Sequence, residues 1–302
     1  MITVAALVSR ARDRLLAGGV PSDQAPGDAE VLARHALDWD LTRYAVGRGE
    51  SAPPGFADRY DALVARRLTR EPVSQIVGHR EFWGLDFEVT RDVLTPRPET
   101  ELVVQAAVDI CRSDASPGSA PIVLDIGTGS GCIAIALATE LPDARFVASD
   151  ISLAALAVAR RNAAKHGLSR RIAFVLTESI PPEDDVELIV SNPPYIPRRE
   201  RDGLPQEVRE YEPGLALFGG EDGLDFYRRL FTNTIGCLNQ DGWLVVEVGY
   251  DQAPAVRALA DPCYWEAGRA YRDLQGIERV LTFRALRRYV GQPADEEQDE
   301  HE

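Results

Sequence analysis

The amino-acid sequence predicts an α/β protein: a doubly wound, mostly parallel β-sheet with helices on both faces, preceded by a small helical bundle and a β-hairpin linker. Three observations indicate this organisation. Residues 1–72 have the apolar spacing of helices, residues 73–95 contain alternating apolar and polar positions, and from residue 96 to 290 short apolar runs alternate with helical stretches. Residues 291–302 are expected to form an acidic, disordered tail.

The N-terminal bundle is predicted from three helical segments. The first and the third segment each have one apolar face at helical spacing. The first face comprises Val4, Leu7, Val8, Ala11 and Leu15, and the third comprises Phe56, Tyr60, Leu63, Val64 and Leu68. The second segment runs from Ala29 to Leu37. Prolines between the segments end the helices, which favours a small bundle.

The linker is predicted to be a β-hairpin that joins two domains. Leu85, Phe87 and Val89 alternate with polar residues, and the apolar pair Ile76-Val77 precedes a glycine. Alternation of this kind is typical of a half-buried strand, and glycine is typical of the turns between strands.

The predicted sheet domain contains five short apolar runs that are rich in strand-forming residues. They are Ile122–Ile126, Phe146–Ser149, Ile172–Leu176, Leu188–Ser191 and Leu244–Val248. Helical stretches separate several of them, at Cys132–Leu141, Leu153–His166 and Gly223–Ile235. A last run, Arg279–Phe283, predicts an added edge strand. Because doubly wound sheets bind ligands beyond the carboxyl ends of their strands, the site is expected at that edge.

Charge and composition disfavour several classes of protein. The 302 residues carry a net charge of −15, and proteins that bind nucleic acid by neutralising phosphates usually have a basic face. We therefore expect no direct nucleic-acid binding. The four cysteines and four histidines are dispersed, so no metal site is expected. No apolar run is long enough to span a bilayer, and we expect a cytoplasmic, monomeric protein without a membrane partner.

A glycine-rich run, Asp125-Ile-Gly-Thr-Gly-Ser-Gly131, follows the first strand of the predicted sheet and precedes a helix. Glycines allow a tight turn and a close approach of the backbone to a ligand. Asp150 ends the second strand, 23 residues after Gly127, where its carboxylate can accept both hydroxyl protons of a ribose. A glycine run alone also suits an ordinary tight turn, but the two features together indicate a ligand that contains a nucleoside.

The glycine spacing separates two classes of nucleotide site. Dinucleotide sites usually contain Gly-x-Gly-x-x-Gly, whereas here the third glycine comes one residue earlier and an acid stands two residues before the first. The run resembles the S-adenosylmethionine loop of Rossmann-like methyltransferases. The resemblance implies S-adenosylmethionine as cofactor, with S-adenosylhomocysteine as its product. The implied cofactor residues are Asp125, Gly127, Thr128, Gly129, Ser130, Gly131, Asp150, Glu178, Ser179 and Asn192. A nicotinamide oxidoreductase is the alternative that the glycines and Asp150 leave open.

The tetrapeptide Asn192-Pro-Pro-Tyr195 directly follows the fourth predicted strand of the sheet. The two prolines make this turn stiff and remove two backbone donors. A planar amino group has two N–H donors, which the Asn192 side-chain oxygen and the Pro193 carbonyl can accept, while the Tyr195 ring can stack on it. We therefore predict Asn192, Pro193 and Tyr195 as catalytic residues, and these three with Pro194 as the substrate site. The structural alternative is a rigid turn with an aromatic cap.

The tetrapeptide suits an adenine amino group and a glutamine amide equally. Further motifs resemble the release-factor glutamine methyltransferase family along nearly the whole chain. They are Gly78–Gly84, Thr95–Glu101, Tyr211–Pro213, Gly219–Gly223 and Arg272–Gly276. The resemblance implies an enzyme that methylates the side-chain amide nitrogen of the glutamine in the Gly-Gly-Gln motif of class I peptide chain release factors. It also implies that the N-terminal helical domain takes part in recognising the substrate protein.

Three other functions remain open at this point. A sister family methylates glutamine in a ribosomal protein, although Pro98–Glu101 favours the release-factor branch. A nucleic-acid adenine methyltransferase would require a flipped base and a basic channel, which the acidic charge disfavours. A noncatalytic module that binds the cofactor or a translation factor is the third.

Overall fold

A computed structural model describes residues 2–113, 120–178, 180–181 and 185–286 of the chain. The predicted acidic tail and the predicted cofactor residue Ser179 lie outside the described residues. The described residues divide into two compact units. The first contains the residues up to Arg80 together with Glu88–Thr95 and Asp202–Pro213, and the second contains Glu81–Phe87, Pro96–Arg201 and the residues from Gly214 onward.

The helices are α1 (Val4–Ala17), α2 (Ala25–Leu37), α3 (Leu41–Gly47), α4 (Phe56–Leu68), α5 (Val73–Val77), α6 (Glu101–Ser113), α7 (Cys132–Glu140), α8 (Leu153–Lys165), α9 (Gln206–Tyr211), α10 (Asp225–Asn233) and α11 (Ala253–Leu259). The strands are β1 (His79–Phe82), β2 (Leu85–Glu88), β3 (Ile122–Ile126), β4 (Arg145–Asp150), β5 (Ile172–Leu176), β6 (Val186–Ser191), β7 (Leu238–Glu247), β8 (Trp265–Arg272) and β9 (Glu278–Ala285). Within the described ranges, no helix is both long and apolar enough to cross a membrane.

The first unit is a helical bundle, as the sequence predicts. Helix α1 begins after Thr3, whose hydroxyl oxygen accepts a hydrogen bond from the backbone N–H of Ala6. In the core, Phe56 and Tyr60 stack with ring centroids 5.2 Å apart, and the Tyr60 hydroxyl donates to the Ala29 carbonyl at 2.7 Å. The bundle also contains α3, which the sequence prediction lacked because its seven residues carry too few apolar positions to form a face.

A segment from much later in the chain completes the first unit. Helix α9 carries Glu207, whose carboxylate pairs with the buried Arg67 at 3.1 Å and with Arg70 at 2.6 Å. The Tyr211 hydroxyl donates to the carbonyl of Thr69 at 2.8 Å. Residues 202–213 therefore pack on helix α4 and its end, although the sequence places them within the alternation of strands and helices.

The predicted hairpin consists of β1 and β2, which pair in a two-stranded sheet. Its two-residue turn is Trp83-Gly84, and both residues have positive φ, at 53° and 70°. Two positive φ values in a two-residue turn match the right-handed twist of the flanking strands. Ile76 and Val77, which the sequence suggested as part of the hairpin, belong instead to helix α5.

The second unit contains a seven-stranded sheet with the order β5-β4-β3-β6-β7-β9-β8. The first five strands in this order are parallel, and β9 and β8 are antiparallel to their neighbours. The five predicted core strands are confirmed. The expectation that the last run forms the sheet edge is wrong, because β9 lies between β7 and β8. Strand β8 has four consecutive exposed residues, so its sequence carries no apolar alternation to predict it.

Successive residues of the central strands belong to different hydrophobic clusters, which shows that both faces of the sheet are covered. Val123 packs in the cluster that contains α6 and α7, whereas Leu124 packs in the cluster that contains α10 and α11. Strand order reverses between β3 and β6, because β4 and β5 lie on one side of β3 and the later strands on the other. In such sheets this reversal opens a crevice at the carboxyl ends of the two central strands.

Candidate active site

The two motifs singled out from the sequence begin at neighbouring strand ends. Strands β3 and β6 are parallel, and Asp125 on β3 is the register partner of Val190 on β6. The Ser191 hydroxyl donates to the carbonyl of Ile126 at 2.7 Å, which joins the two strands where they end. The glycine turn and Asn192 therefore emerge on the same edge of the sheet, at the crevice.

The glycine turn has a left-handed backbone at all three glycines, with φ of 75° at Gly127, 55° at Gly129 and 82° at Gly131. A Cβ atom at Gly127 or Gly129 would meet no atom within 4 Å, so these two positions face open space. A Cβ atom at Gly131 would lie 3.0 Å from Ile135 and 3.1 Å from Ala159. The first two glycines thus leave room for a ligand, and the third allows helices α7 and α8 to approach.

Asp125 is a buried acid with one unused acceptor. Its Oδ2 accepts a hydrogen bond from the Thr128 hydroxyl at 2.6 Å, whereas its buried Oδ1 has no partner among the described residues. Burial raises the pKa of Asp125 to about 7, against the opposing effects of the Thr128 hydroxyl and the Ala134 backbone N–H, and the nearby charge of Asp150 adds to the increase. A cationic group on a ligand would satisfy Oδ1 and stabilise the ionised carboxyl. The site therefore fits the ammonium group of a bound amino acid.

Asp150 lies beside the glycine turn at the end of β4. Its Oδ2 accepts a hydrogen bond from the Gly129 N–H at 2.9 Å, and its Oδ1 accepts one from the Ser152 N–H at 2.8 Å. Each carboxylate oxygen can accept a second bond, so two vicinal hydroxyls on a ligand could still bind here. Ile151 directly follows Asp150, and Leu176 ends β5. Both side chains are apolar and exposed, so they could pack against a flat, apolar ring of a ligand.

The predicted cofactor residue Glu178 follows β5, and its role in binding the cofactor stays a prediction. Glu178 is exposed, and none of the described residues forms a hydrogen bond with it. Ile151 and Leu176 were missed by sequence reasoning. A signal existed for Ile151, because an aliphatic residue directly after the acid that ends the second strand has no place in the sheet core.

Asn192 directly follows β6, and the nitrogen of its side-chain amide is hydrogen-bonded within the protein. Its Nδ2 donates to the Thr100 hydroxyl oxygen at 3.0 Å. No described group donates to Asn192 Oδ1 or to the Pro193 carbonyl, so both oxygens are available to a substrate. Tyr195 is half-buried, and its backbone carbonyl accepts a hydrogen bond from the Gln252 side chain at 2.8 Å. The turn thus carries two acceptors that no described group uses and, close to them in the chain, a half-buried aromatic ring.

The glycines of the segment Gly219–Gly223 pack against the backbone of this turn. A Cβ atom at Gly219 would overlap the Pro194 carbonyl oxygen, and one at Gly223 would overlap the Tyr195 carbonyl oxygen. The Gly219 N–H donates to the carbonyl of Ile196 at 3.0 Å. These two positions therefore require glycine because the backbone of the Asn-Pro-Pro-Tyr turn lies directly against them.

Two residues near Asn192 were not predicted as site residues. Thr100 and Glu247 are each 2% exposed, and the Thr100 hydroxyl donates to Glu247 Oε2 at 2.7 Å. The Tyr195 hydroxyl donates to Glu247 Oε1 at the longer distance of 3.5 Å. Burial raises the pKa of Glu247 to about 7, against the opposing effect of the Thr100 hydrogen bond. Signals for both existed: Thr100 lies in a family motif, and Glu247 is an acid that ends an apolar strand.

The fold and this site define the class of the protein, a Rossmann-like methyltransferase. The family model described as "Methyltransferase small domain" matches residues 114–206, and the model described as "PrmC N-terminal domain" matches residues 6–78. The release factor glutamine methyltransferase of Cereibacter sphaeroides is 43% identical over 274 residues, which cover 90% of this chain and 94% of that protein. The chain belongs to the release factor glutamine methyltransferase family, and the resemblance noted in its sequence is confirmed.

Other comparisons agree at the level of family and of fold. The release factor glutamine methyltransferase of Geobacter sulfurreducens is 43% identical over 256 residues, covering 84% of this chain and 87% of that protein. Among solved structures, the human Mettl16 catalytic domain in complex with an RNA hairpin superposes with a TM-score of 0.55 at 17% identity, covering 87% of this chain and 95% of that chain. At that identity the structural similarity concerns the fold alone.

Proposed function

We propose that this chain transfers a methyl group from S-adenosylmethionine to the side-chain amide nitrogen of the glutamine in the Gly-Gly-Gln motif of class I peptide chain release factors. The observation that carries the proposal is the pair of available acceptors, Asn192 Oδ1 and the Pro193 carbonyl. Both follow the end of β6, which is the sheet neighbour of β3, the strand that carries Asp125. Relatives at 38–43% identity that are named release factor glutamine methyltransferase support the choice of substrate.

In this proposal the glycine turn and the two acids bind the cofactor. Asp125 Oδ1, which is buried without a described partner, receives the ammonium of the methionine part. Asp150 receives the ribose hydroxyls on the lone pairs that Gly129 and Ser152 leave unused. Gly127 and Gly129 allow the backbone to approach the ligand closely. S-adenosylmethionine supplies the electrophilic methyl group when it is bound.

The Asn-Pro-Pro-Tyr turn positions the glutamine amide. Asn192 Oδ1 and the Pro193 carbonyl accept one amide N–H each, and the Tyr195 ring packs against the flat amide group. An amide nitrogen is a weak nucleophile because its lone pair is delocalised, so alignment is the main contribution, and it can lower a barrier by as much as roughly 7–11 kcal/mol. As positive charge develops on the nitrogen, the two acceptors stabilise it, and the proton is then lost to water.

The partner in this proposal is a protein, bound by an enzyme that acts as a monomer in the cytoplasm. The net charge of −15 supports a protein substrate over nucleic acid. The first unit, whose residues 6–78 match the PrmC N-terminal model, recognises the substrate protein.

The direct test is mass spectrometry of a class I release factor after incubation with the enzyme and S-adenosylmethionine. We expect one methyl group on the glutamine of the Gly-Gly-Gln motif. Asn192→Ala should abolish transfer and leave the affinity for S-adenosylhomocysteine within several-fold. Asn239→Ala is the matched control, because Asn239 has a comparable burial but lies at the start of β7, at the opposite end of the strand from Glu247. Normal turnover by the Asn192→Ala variant would refute the assigned role.

Parallel assays separate the other functions. Tritium from labelled cofactor that enters DNA or RNA, with none in the release factor, would identify an adenine methyltransferase. Label in a ribosomal protein alone would identify the sister activity. Calorimetry with S-adenosylhomocysteine and with NAD tests the cofactor, and a preference for NAD would contradict the proposal.

A further inference from the structure

A chain of hydrogen bonds connects Asn192 to a buried carboxyl group. Asn192 Nδ2 donates to Thr100 Oγ1 at 3.0 Å, and the Thr100 hydroxyl donates to Glu247 Oε2 at 2.7 Å. The three residues come from three separate elements of the second unit: the turn after β6, the helical turn before α6, and the end of β7. Only the fold brings them together, since Thr100 and Glu247 are 147 residues apart in the sequence.

The direction of each bond follows from the number of protons available. The Thr100 hydroxyl donates to Glu247 in this structure, and above the pKa of about 7 the ionised carboxylate has only acceptors, so the single hydroxyl proton of Thr100 goes to Glu247. The Thr100 oxygen can then only accept from Asn192, and the group facing it must be the amide NH₂. With the NH₂ on that side, Oδ1 is the part of the Asn192 amide left to receive a donor from the substrate.

The opposite orientation of the same amide would defeat the proposed chemistry. An Asn192 side chain turned by half a rotation would present its NH₂ to the N–H group of a substrate, so two donors would meet and no bond would form. The two orientations have nearly the same shape, and packing alone therefore discriminates poorly between them. The hydrogen bond to Thr100 is the interaction that distinguishes them.

We infer that Thr100 and Glu247 are positioning residues for methyl transfer: they hold the Asn192 amide so that its oxygen faces the nitrogen to be methylated. This inference rests on the proposed function. Glu247 has a second part in the arrangement, because its Oε1 receives the Tyr195 hydroxyl at 3.5 Å. One buried carboxyl group thus orients Asn192 through Thr100 and also lies near the hydroxyl of Tyr195.

The test compares steady-state kinetics of Thr100→Val, Thr100→Ser and Glu247→Gln. Valine keeps the shape of threonine without the hydroxyl, and we expect kcat to fall about 10- to 100-fold while KM for the release factor and the affinity for S-adenosylhomocysteine stay within about threefold. Serine keeps the hydroxyl, so Thr100→Ser should restore kcat to near the wild-type value. Rescue by serine distinguishes positioning from loss of packing, because serine packs less well than valine.

Glu247→Gln provides a second, independent variant. The glutamine NH₂ can donate to Thr100, which turns the Thr100 proton towards Asn192 and favours the wrong amide orientation. We expect a loss of kcat at least as large as that of Thr100→Val. The double variant should be no slower than the worse single variant, since both changes interrupt the same chain.

Thr234→Val is the matched control, because Thr234 is fully buried and donates to the Leu230 carbonyl at the end of α10, outside the site. It should keep wild-type kcat. If the wild type is active, a fully active Thr100→Val or Glu247→Gln variant would overturn this inference and leave the proposed function standing. A Thr100→Ser variant as slow as Thr100→Val would do the same. A wild-type enzyme that does not methylate the release factor would overturn the proposed function and this inference with it.

Discussion

Gly219 lies directly against the carbonyl oxygen of Pro194, with no space for a side chain between them. The two residues belong to motifs that are separated in the sequence, yet their backbones form one layered loop at the end of β6. The short parallel bridge between Ile196 and Phe218 holds the two segments together. The shape of the Asn-Pro-Pro-Tyr turn therefore depends on a second glycine-containing segment.

Gly219→Ala should displace the turn that carries Asn192. The added Cβ atom would overlap the Pro194 carbonyl and approach the Gly223 carbonyl oxygen to 2.8 Å. A shift of about 1 Å in a substrate-positioning group can reduce turnover roughly 100-fold, and we expect a loss of that order in kcat/KM. The measurement is methyl transfer to a release factor.

Gly236→Ala is the control for this change. A Cβ atom at Gly236 would meet no atom within 4 Å, so activity should not change. Equal activity of the two variants would show that the turn tolerates displacement.

Asp125 should make cofactor binding dependent on pH. Burial raises its pKa to about 7, with a contribution from Asp150, so lowering the pH below 7 protonates the carboxyl that receives the ligand ammonium. Affinity for S-adenosylhomocysteine should therefore be weaker at low pH, by about fivefold between pH 7 and pH 6. Calorimetry at the two pH values measures this change.

Asp125→Asn should bind the ligand more weakly and with little pH dependence over the same interval. Asparagine has no proton to gain between these pH values, and Thr128 can still donate to its side-chain oxygen. An unchanged pH dependence in this variant would assign the titration to another group.

The glycines of the cofactor turn should respond differently to alanine. Both Gly127→Ala and Gly131→Ala place a side chain on a left-handed backbone, at a cost of about 1–2 kcal/mol. At Gly131 the new methyl group also crowds Ile135 and Ala159, so this variant should be the less stable of the two. At Gly127 the methyl group enters open space, so this variant should show the larger loss of affinity for S-adenosylhomocysteine. Thermal melting and calorimetry of both variants test the contrast, and the reverse order would contradict it.

Arg67 should be important for the stability of the first unit. Its side chain is 2% exposed and pairs with Asp28 at 2.7 Å and with Glu207 at 3.1 Å. Burial already raises the pKa of Asp28 despite this pairing, so Arg67→Met leaves Asp28 without its ion-pair partner in a poorly hydrated site, whereas Glu207 keeps Arg70. We expect a loss of about 3 kcal/mol in the stability of this unit, measured by hydrogen exchange of amides in α2 and α4.

Arg12→Met is the matched control, because Arg12 pairs with Asp13 on the surface of the same unit. Exposed ion pairs contribute at most about 1 kcal/mol, so exchange in this variant should stay close to that of the wild type. Comparable destabilisation by both changes would show that burial of the Arg67 pair is of no consequence.

Features that depend on neighbouring residues were predictable from the sequence. The apolar runs of β3 and β5 match the predicted strands residue for residue, because strand and helix periodicity is written within a few positions. The glycine turn and the Asn-Pro-Pro-Tyr turn were also recognisable, since glycine and proline restrict the backbone locally. Strand β8 was not, because its exposed residues carry no such pattern.

The sequence by itself determined the class of fold, the two turns and the family of this protein. The tertiary structure decided which isolated polar residues meet: Thr100 with Glu247 and Asn192, and Arg67 with Glu207. The physical reason is that a single threonine or glutamate in an element leaves no periodic signal of its own. Its partner is selected only when distant elements pack and both groups, removed from water, must find hydrogen bonds within the protein.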